Sequence, residues 1–160
     1  MRIIGNTARI LIVIALVVLT LISCVPDNMN FYIFESIEEC EEIAEYAENS
    51  TIEKYDTPET DKYLGSLEYE AFYAARYQSR DLSFVIYAYE FTNAETAQKY
   101  FKNATGKPDG YQTNFVSSKG SGVFDIAVLD GNKAYYAKSN ASCATELEAL
   151  LGTVFSKKLT

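Results

Sequence analysis

Three kinds of hydrophobic pattern succeed one another along the chain. Residues 10–22 form an almost unbroken apolar block. A helical period follows, with Ile37, Cys40, Ala44 and Ala47 at three- and four-residue steps and Ile43 widening the stripe. Glu38, Glu41, Glu42, Glu45 and Glu48 take the other side. Ser36-Ile37-Glu38-Glu39 has the form of a capping box, so this helix opens at Ser36 and ends at Asn49-Ser50. The polar stretch 51–66, with Pro58 and Gly65, reads as a loop. The period then changes to two. Leu67, Tyr69, Ala71, Tyr73, Ala75 and Tyr77 alternate with Glu68, Glu70, Phe72, Ala74, Arg76 and Gln78, which favours a strand, although the tyrosines also repeat every four residues. Residues 82–91 are aromatic and β-branched and apolar on both sides, which predicts a second strand. Ser79-Arg80-Asp81 joins the two as a hairpin.

Thr92-Asn93-Ala94-Glu95 is a second capping box. Ala94, Ala97, Phe101 and Ala104 line one face of the helix it opens, and Gly106 closes it. Lys107-Pro108-Asp109-Gly110 signals a turn. Three strands are predicted beyond it, over 111–118, 123–129 and 133–138, separated by Gly120-Ser121-Gly122 and by the tight turn Asp130-Gly131. A last helix over 142–155 carries Cys143, Leu147, Leu150, Leu151 and Val154 on one face. The order is α-β-β-α-β-β-β-α, with no repeat. Hairpins and few long crossovers predict an α+β fold: a mainly antiparallel sheet of about five strands, helices packed on one face, in a single domain over 35–160.

The apolar block has its own meaning. Residues 1–23 hold no acid and carry Arg2 and Arg9 ahead of the run. A run of thirteen residues, apolar but for Thr20, falls short of the ~20 that a spanning helix needs. A helix over 3–22 would be long enough, but Gly5-Asn6-Thr7 interrupts it. A basic start, a short apolar stretch and a small residue form the pattern of a secretory signal. Leu21-Ile22-Ser23-Cys24, at the end of that stretch, resembles the lipobox of bacterial lipoproteins. The resemblance implies a diacylglycerol on the thiol of Cys24 and cleavage between Ser23 and Cys24. Residues 1–23 would then be the signal peptide and 24–34 the lipidated Cys and tether. The expected location is the cell membrane, facing outside the cytoplasm. Each buried methylene contributes ~0.8 kcal/mol, so two acyl chains hold the chain stably where one would not. In layout, the remainder resembles the small lipoproteins of bacteria.

Charge and composition narrow the partners. The chain has 160 residues, with 14 Lys plus Arg against 22 Asp plus Glu, a net −8 that falls to −10 when Arg2 and Arg9 leave with the signal. Nucleic acid demands a basic face and is not an expected partner. An acidic domain is also repelled by an anionic bilayer, so the lipid must supply the attachment. The chain has no His, which removes Ser-His-Asp and Cys-His nucleophile systems and His metal sites. Three Cys in no close pair exclude a Cys-rich metal cluster. No metal and no cofactor other than the lipid on Cys24 is expected.

Few side chains offer chemistry. The five glutamates Glu38, Glu41, Glu42, Glu45 and Glu48 read as a solvated helix face. Ser118-Lys119 and Gly120-Ser121-Gly122 lack the spacing of a nucleophile elbow or a Ser-x-x-Lys motif and read as a hairpin turn. Asp125 and Asp130 would share a strand face only with a register break, and Asp130-Gly131-Asn132 lacks the earlier ligands of a calcium loop. No catalytic residue is assigned. Thirteen Tyr and no Trp make Tyr69, Tyr73, Tyr77, Tyr87 and Tyr89 a candidate binding surface for an envelope protein or cell-wall glycan. Plain strand propensity with half-buried rings is the simpler account. Cys40 and Cys143 lie on apolar helix faces, either as a disulfide between the first and last helices or, as we favour, as two buried thiols. The expected function is a membrane-anchored binding or interaction module. An envelope enzyme working through carboxylates, or an inhibitor or assembly protein, is the alternative.

Overall fold

A computed structural model describes residues 33–47, 49–107 and 115–155. Among them, a six-stranded sheet is built from β1 (Thr51–Lys54), β2 (Tyr69–Gln78), β3 (Ser83–Phe91), β4 (Phe115–Gly120), β5 (Val123–Asp130) and β6 (Lys133–Asn140) in the order β1-β2-β3-β6-β5-β4. Every neighbouring pair is antiparallel. Three α-helices accompany it: α1 (Ile43–Tyr46), α2 (Ala94–Thr105) and α3 (Ala144–Val154). The first continues a 3-10 segment, Ile37–Glu42, and the last continues another, Ala141–Cys143. The class is α+β, as the sequence pattern predicts.

The central strands explain how the layers are arranged. β3 and β6 bury residues on both sides, so the sheet needs a cover on each face. On the first face, Tyr73, Ala75, Tyr77, Phe84, Ile86, Ala88, Ile126 and Ala137 pack with Cys40, Ile43, Leu147 and Leu151 from the first and last helical segments. On the second, Tyr89, Phe91, Ala127, Ala134 and Tyr136 pack with Leu64 and with Ala97, Tyr100 and Phe101 of α2. The expectation of helices on one face is therefore corrected: α2 lies opposite α1 and α3. A strand apolar on both sides, already visible in residues 82–91, requires that division.

Local chemistry accounts for the element ends. Asn93, not Thr92, caps α2, its side chain accepting from the backbone N–H of Thr96 at 2.9 Å, and Gly106 closes the helix at φ 65°. Ser36 makes no side-chain cap bond, while Glu39 Oε2 accepts from the N–H of Glu35 at 2.7 Å. Ser121 and Gly122 both have positive φ, the requirement of a type I′ hairpin turn between β4 and β5. The β5–β6 turn is Gly131-Asn132, flanked by the pair Asp130 and Lys133. Asn132 is bonded to the end of β3: its Nδ2 donates to the carbonyl of Phe91 at 2.9 Å, and its carbonyl accepts from the Phe91 N–H at 2.8 Å. Residues 51–54, read from sequence as loop, form the sixth strand by pairing Thr51 with Gln78 through Lys54 with Ala75. Residues 108–114 and Glu48 lie outside the described residues.

Candidate functional site

The five candidate tyrosines do not make one surface. Alternation along β2 places Tyr73 and Tyr77 on the first face, where they are 6% and 0% exposed. Their hydroxyls bond each other. A register shift between Tyr69 and Ala71 turns Tyr69 to the second face, opposite Phe91. Tyr89 shares that face but is fully buried, while Tyr69 and Tyr87 are half-buried. The grouping of all five as an exposed patch is thus corrected: strand alternation splits them, and the helices cover three.

The second face instead gathers polar groups around one carboxylate. Residues 55–68 cross it, beginning where the Tyr55 N–H donates to the Ala74 carbonyl at 2.9 Å. Within that segment Asp61 is only 5% exposed. Its Oδ2 accepts from the hydroxyls of Tyr89 and Tyr100, both at 2.8 Å, and its Oδ1 accepts from the N–H of Tyr63 at 3.0 Å. A buried carboxylate needs such donors, because losing water without them costs several kcal/mol, ~2–7 even for a neutral polar group. Burial, then the adjacent Asp61 charge, pushes the phenols of Tyr89 and Tyr100 well above their ordinary range. Both therefore remain hydroxyl donors at neutral pH. Nearby, Tyr55 and Tyr87 stack with centroids 6.5 Å apart, and Tyr87 shares a 3.0 Å hydrogen bond with Thr60.

Beside this carboxylate lies an open depression of about 610 Å³, lined by Asp61, Leu64, Leu67, Tyr69 and the polar rim of Thr57, Glu59, Lys62 and Ser66. The Tyr69 ring meets Phe72 edge-on at 5.4 Å and Tyr89 at a tilt at 5.7 Å. A second, smaller hollow of about 170 Å³ includes Tyr63, Ser118, Asp125 and Tyr136. There the Tyr136 hydroxyl donates to Asp125. The Tyr63 and Tyr136 rings meet edge-on at 4.9 Å. These arrangements orient acceptors and aromatic rings; neither pairs a nucleophile with a base.

The remaining candidates are placed as follows. Glu38, Glu41, Glu42 and Glu45 are exposed, and Glu41 holds Lys54 at 2.8 Å. Asp125 and Asp130 sit on opposite sides of a regular β5. Cys40 and Cys143 are both buried and free, and burial pushes the Cys40 thiol up. Among the described residues, no group of three or more His, Cys, Asp or Glu is placed to hold a metal, and no helix is long and apolar enough to cross a membrane. Ser23, Cys24 and the rest of the lipobox lie outside the described residues. Asp61, Tyr63 and Tyr100 were not legible as a site; Asp61 stands in a polar stretch beside Glu59 with nothing in one dimension to mark it. No known protein family matches the chain, and no curated protein matches it.

Proposed function

We propose that the chain is a lipoprotein, anchored through a diacylglycerol on Cys24 outside the cytoplasm, whose domain is a binding module for an envelope protein or cell-wall glycan. The observation that carries the anchor is the Leu21-Ile22-Ser23-Cys24 motif at the end of the apolar run. The observation that supports binding is the depression beside Asp61, where a fixed ring and a fixed carboxylate border open solvent.

Fatty-acid labelling in cells tests the anchor. The parent chain should take up label and sediment with membranes, whereas Cys24→Ala should accumulate as an unlabelled, uncleaved precursor. Processing and membrane retention of Cys24→Ala like the parent would overturn the lipoprotein reading. Crosslinking in intact cells, followed by identification of the captured molecule, addresses the binding role.

A further inference from the structure

We infer that the depression beside Asp61 is a saccharide site, taking a neutral pyranose ring that stacks on Tyr69 and donates a hydroxyl to the Asp61 carboxylate. The inference rests on the reading of the domain as a binding module and gives that module a ligand class.

The carboxylate has capacity left for a ligand. Each carboxylate oxygen offers two lone-pair directions. Oδ2 uses both, on Tyr89 and Tyr100, whereas Oδ1 accepts one bond, from the Tyr63 N–H. Asp61 also lines the depression, and its Oδ1 has one acceptor direction that no hydrogen bond within the protein fills. A hydroxyl donating to it would make a charge-assisted bond, stronger than a neutral one. The carboxylate does not have to be reorganised on binding, since two buried phenols and a backbone amide already fix it.

The wall beside it suits a ring with an apolar face. Tyr69 is braced by Phe72 and Tyr89 and lines the same depression, with Leu64 and Leu67 continuing the apolar wall. A pyranose presents C–H groups on one face and hydroxyls around its edge, matching an aromatic plane next to polar groups. The rim supplies Thr57 and Ser66 hydroxyls. Other ligand classes fit less well. Lys62 is the one cation of the lining against two acids, Glu59 and Asp61, and its Nζ lies over the Tyr63 ring at 4.9 Å, which disfavours an anion such as a phosphate. An acyl chain would displace water from the rim hydroxyls and offer them no hydrogen bond in return. The volume, about 610 Å³, lies within the ~300–1,000 Å³ of small-molecule sites and admits more than one ring.

Calorimetric titration of the full chain in detergent tests the site, with a β-linked N-acetylglucosamine trimer and an α-linked glucose trimer as probes. At least one should bind. Tyr69→Ala should weaken binding about tenfold, while Tyr69→Phe, which keeps the ring, should leave it within about twofold. Ser66→Arg fills the mouth from an exposed position, so it should weaken binding without lowering the melting temperature; it serves as the control should Tyr69→Ala unfold. Failure of both trimers to bind overturns the saccharide assignment, and so does binding that survives both Tyr69→Ala and Ser66→Arg. Capture of a protein through a photocrosslinker at Ser66, with no trimer binding, would overturn the saccharide and leave the binding module standing. Membrane retention through Cys24 is read in a separate assay and is not affected by either result.

Discussion

The two faces of the sheet are both buried, yet they are held by different physics. The first is closed by aliphatic and aromatic packing: Phe34, Ile43, Phe84, Ile86, Leu147 and Leu151 meet without a buried carboxylate, and Tyr73 and Tyr77 satisfy each other's hydroxyls. The second is closed by tyrosines whose hydroxyls end on carboxylates, with Tyr89 and Tyr100 on Asp61 and Tyr136 on Asp125. Apolar packing is non-directional and scales with area. Hydrogen bonds to a charge are directional, and a buried partner left alone is costly. The second face therefore fixes residues 55–68 in one position on the sheet, and it is the face with the depression. Rigidity on that side comes from chemistry that a ligand can share.

The largest expected contrast is alkaline. Burial raises the phenols of Tyr89, Tyr100 and Tyr136 on the second face and of Tyr77 on the first far above their usual value of 10.0. Below that pH the folded and unfolded chains hold the same phenolic protons, so the stability is fully present. Above it the unfolded chain releases protons that the folded chain keeps, and stability falls by about 1.4 kcal/mol per pH unit for each such tyrosine. The Cys40 thiol, raised from 9.0 by burial, starts the decline earlier. Urea midpoints measured from neutral pH upward should be flat and then drop steeply beyond about pH 10, with tyrosinate absorbance appearing as the chain unfolds. Tyr89→Phe with Tyr100→Phe should flatten the drop more than Tyr77→Phe. A midpoint that stays flat well past pH 10 would mean that the second-face phenols ionise in place.

Point substitutions separate the faces at neutral pH. Leu147 is fully buried in the first cluster, and Leu147→Ala should cost ~2–5 kcal/mol, transfer and cavity together. Asp61→Asn is nearly isosteric and keeps the packing of the second face. It replaces a doubly accepting oxygen pair with one acceptor and an N–H₂ facing hydroxyl donors, so a loss of ~1–3 kcal/mol is expected. Urea unfolding reads both. An Asp61→Asn loss well below 1 kcal/mol would show that the two phenols find new partners as readily as a relaxed apolar core would.

The same division explains what the sequence disclosed. β2 and β3 were legible because alternation and β-branched aromatics are local signals, and the apolar steps of α3 likewise marked its buried face. β1 was not, because Thr51-Ile52-Glu53-Lys54 has one apolar residue and becomes a strand by pairing with β2. The turn of Tyr69 to the other face depends on a bulge, which adds a residue without changing composition. The Asp61 cluster was hidden for a related reason: its tyrosine partners stand 28 and 39 residues away, joined to it by topology. Area-driven packing writes a periodic signature into sequence. Directional polar clusters do not.

The smallest effect is expected at the open edge of the first face. Lys54 Nζ lies 2.8 Å from Glu41 Oε1 and 5.7 Å from the centre of the Tyr73 ring, joining β1 to the first helical segment. The Lys54 side chain is 51% exposed and that of Glu41 63%, so water and salt screen the pair. The bond to Glu41 raises the Lys54 pKa, but at this exposure that contact carries little stability. Lys54→Met keeps an aliphatic stem over Tyr73 and removes only the charge. Its cost should be at most about 0.5 kcal/mol in dilute buffer and should vanish near molar salt. A loss several times larger, persisting in salt, would mean that the first face also depends on a directional charge contact to seat β1, and the contrast between the faces would fail at this edge.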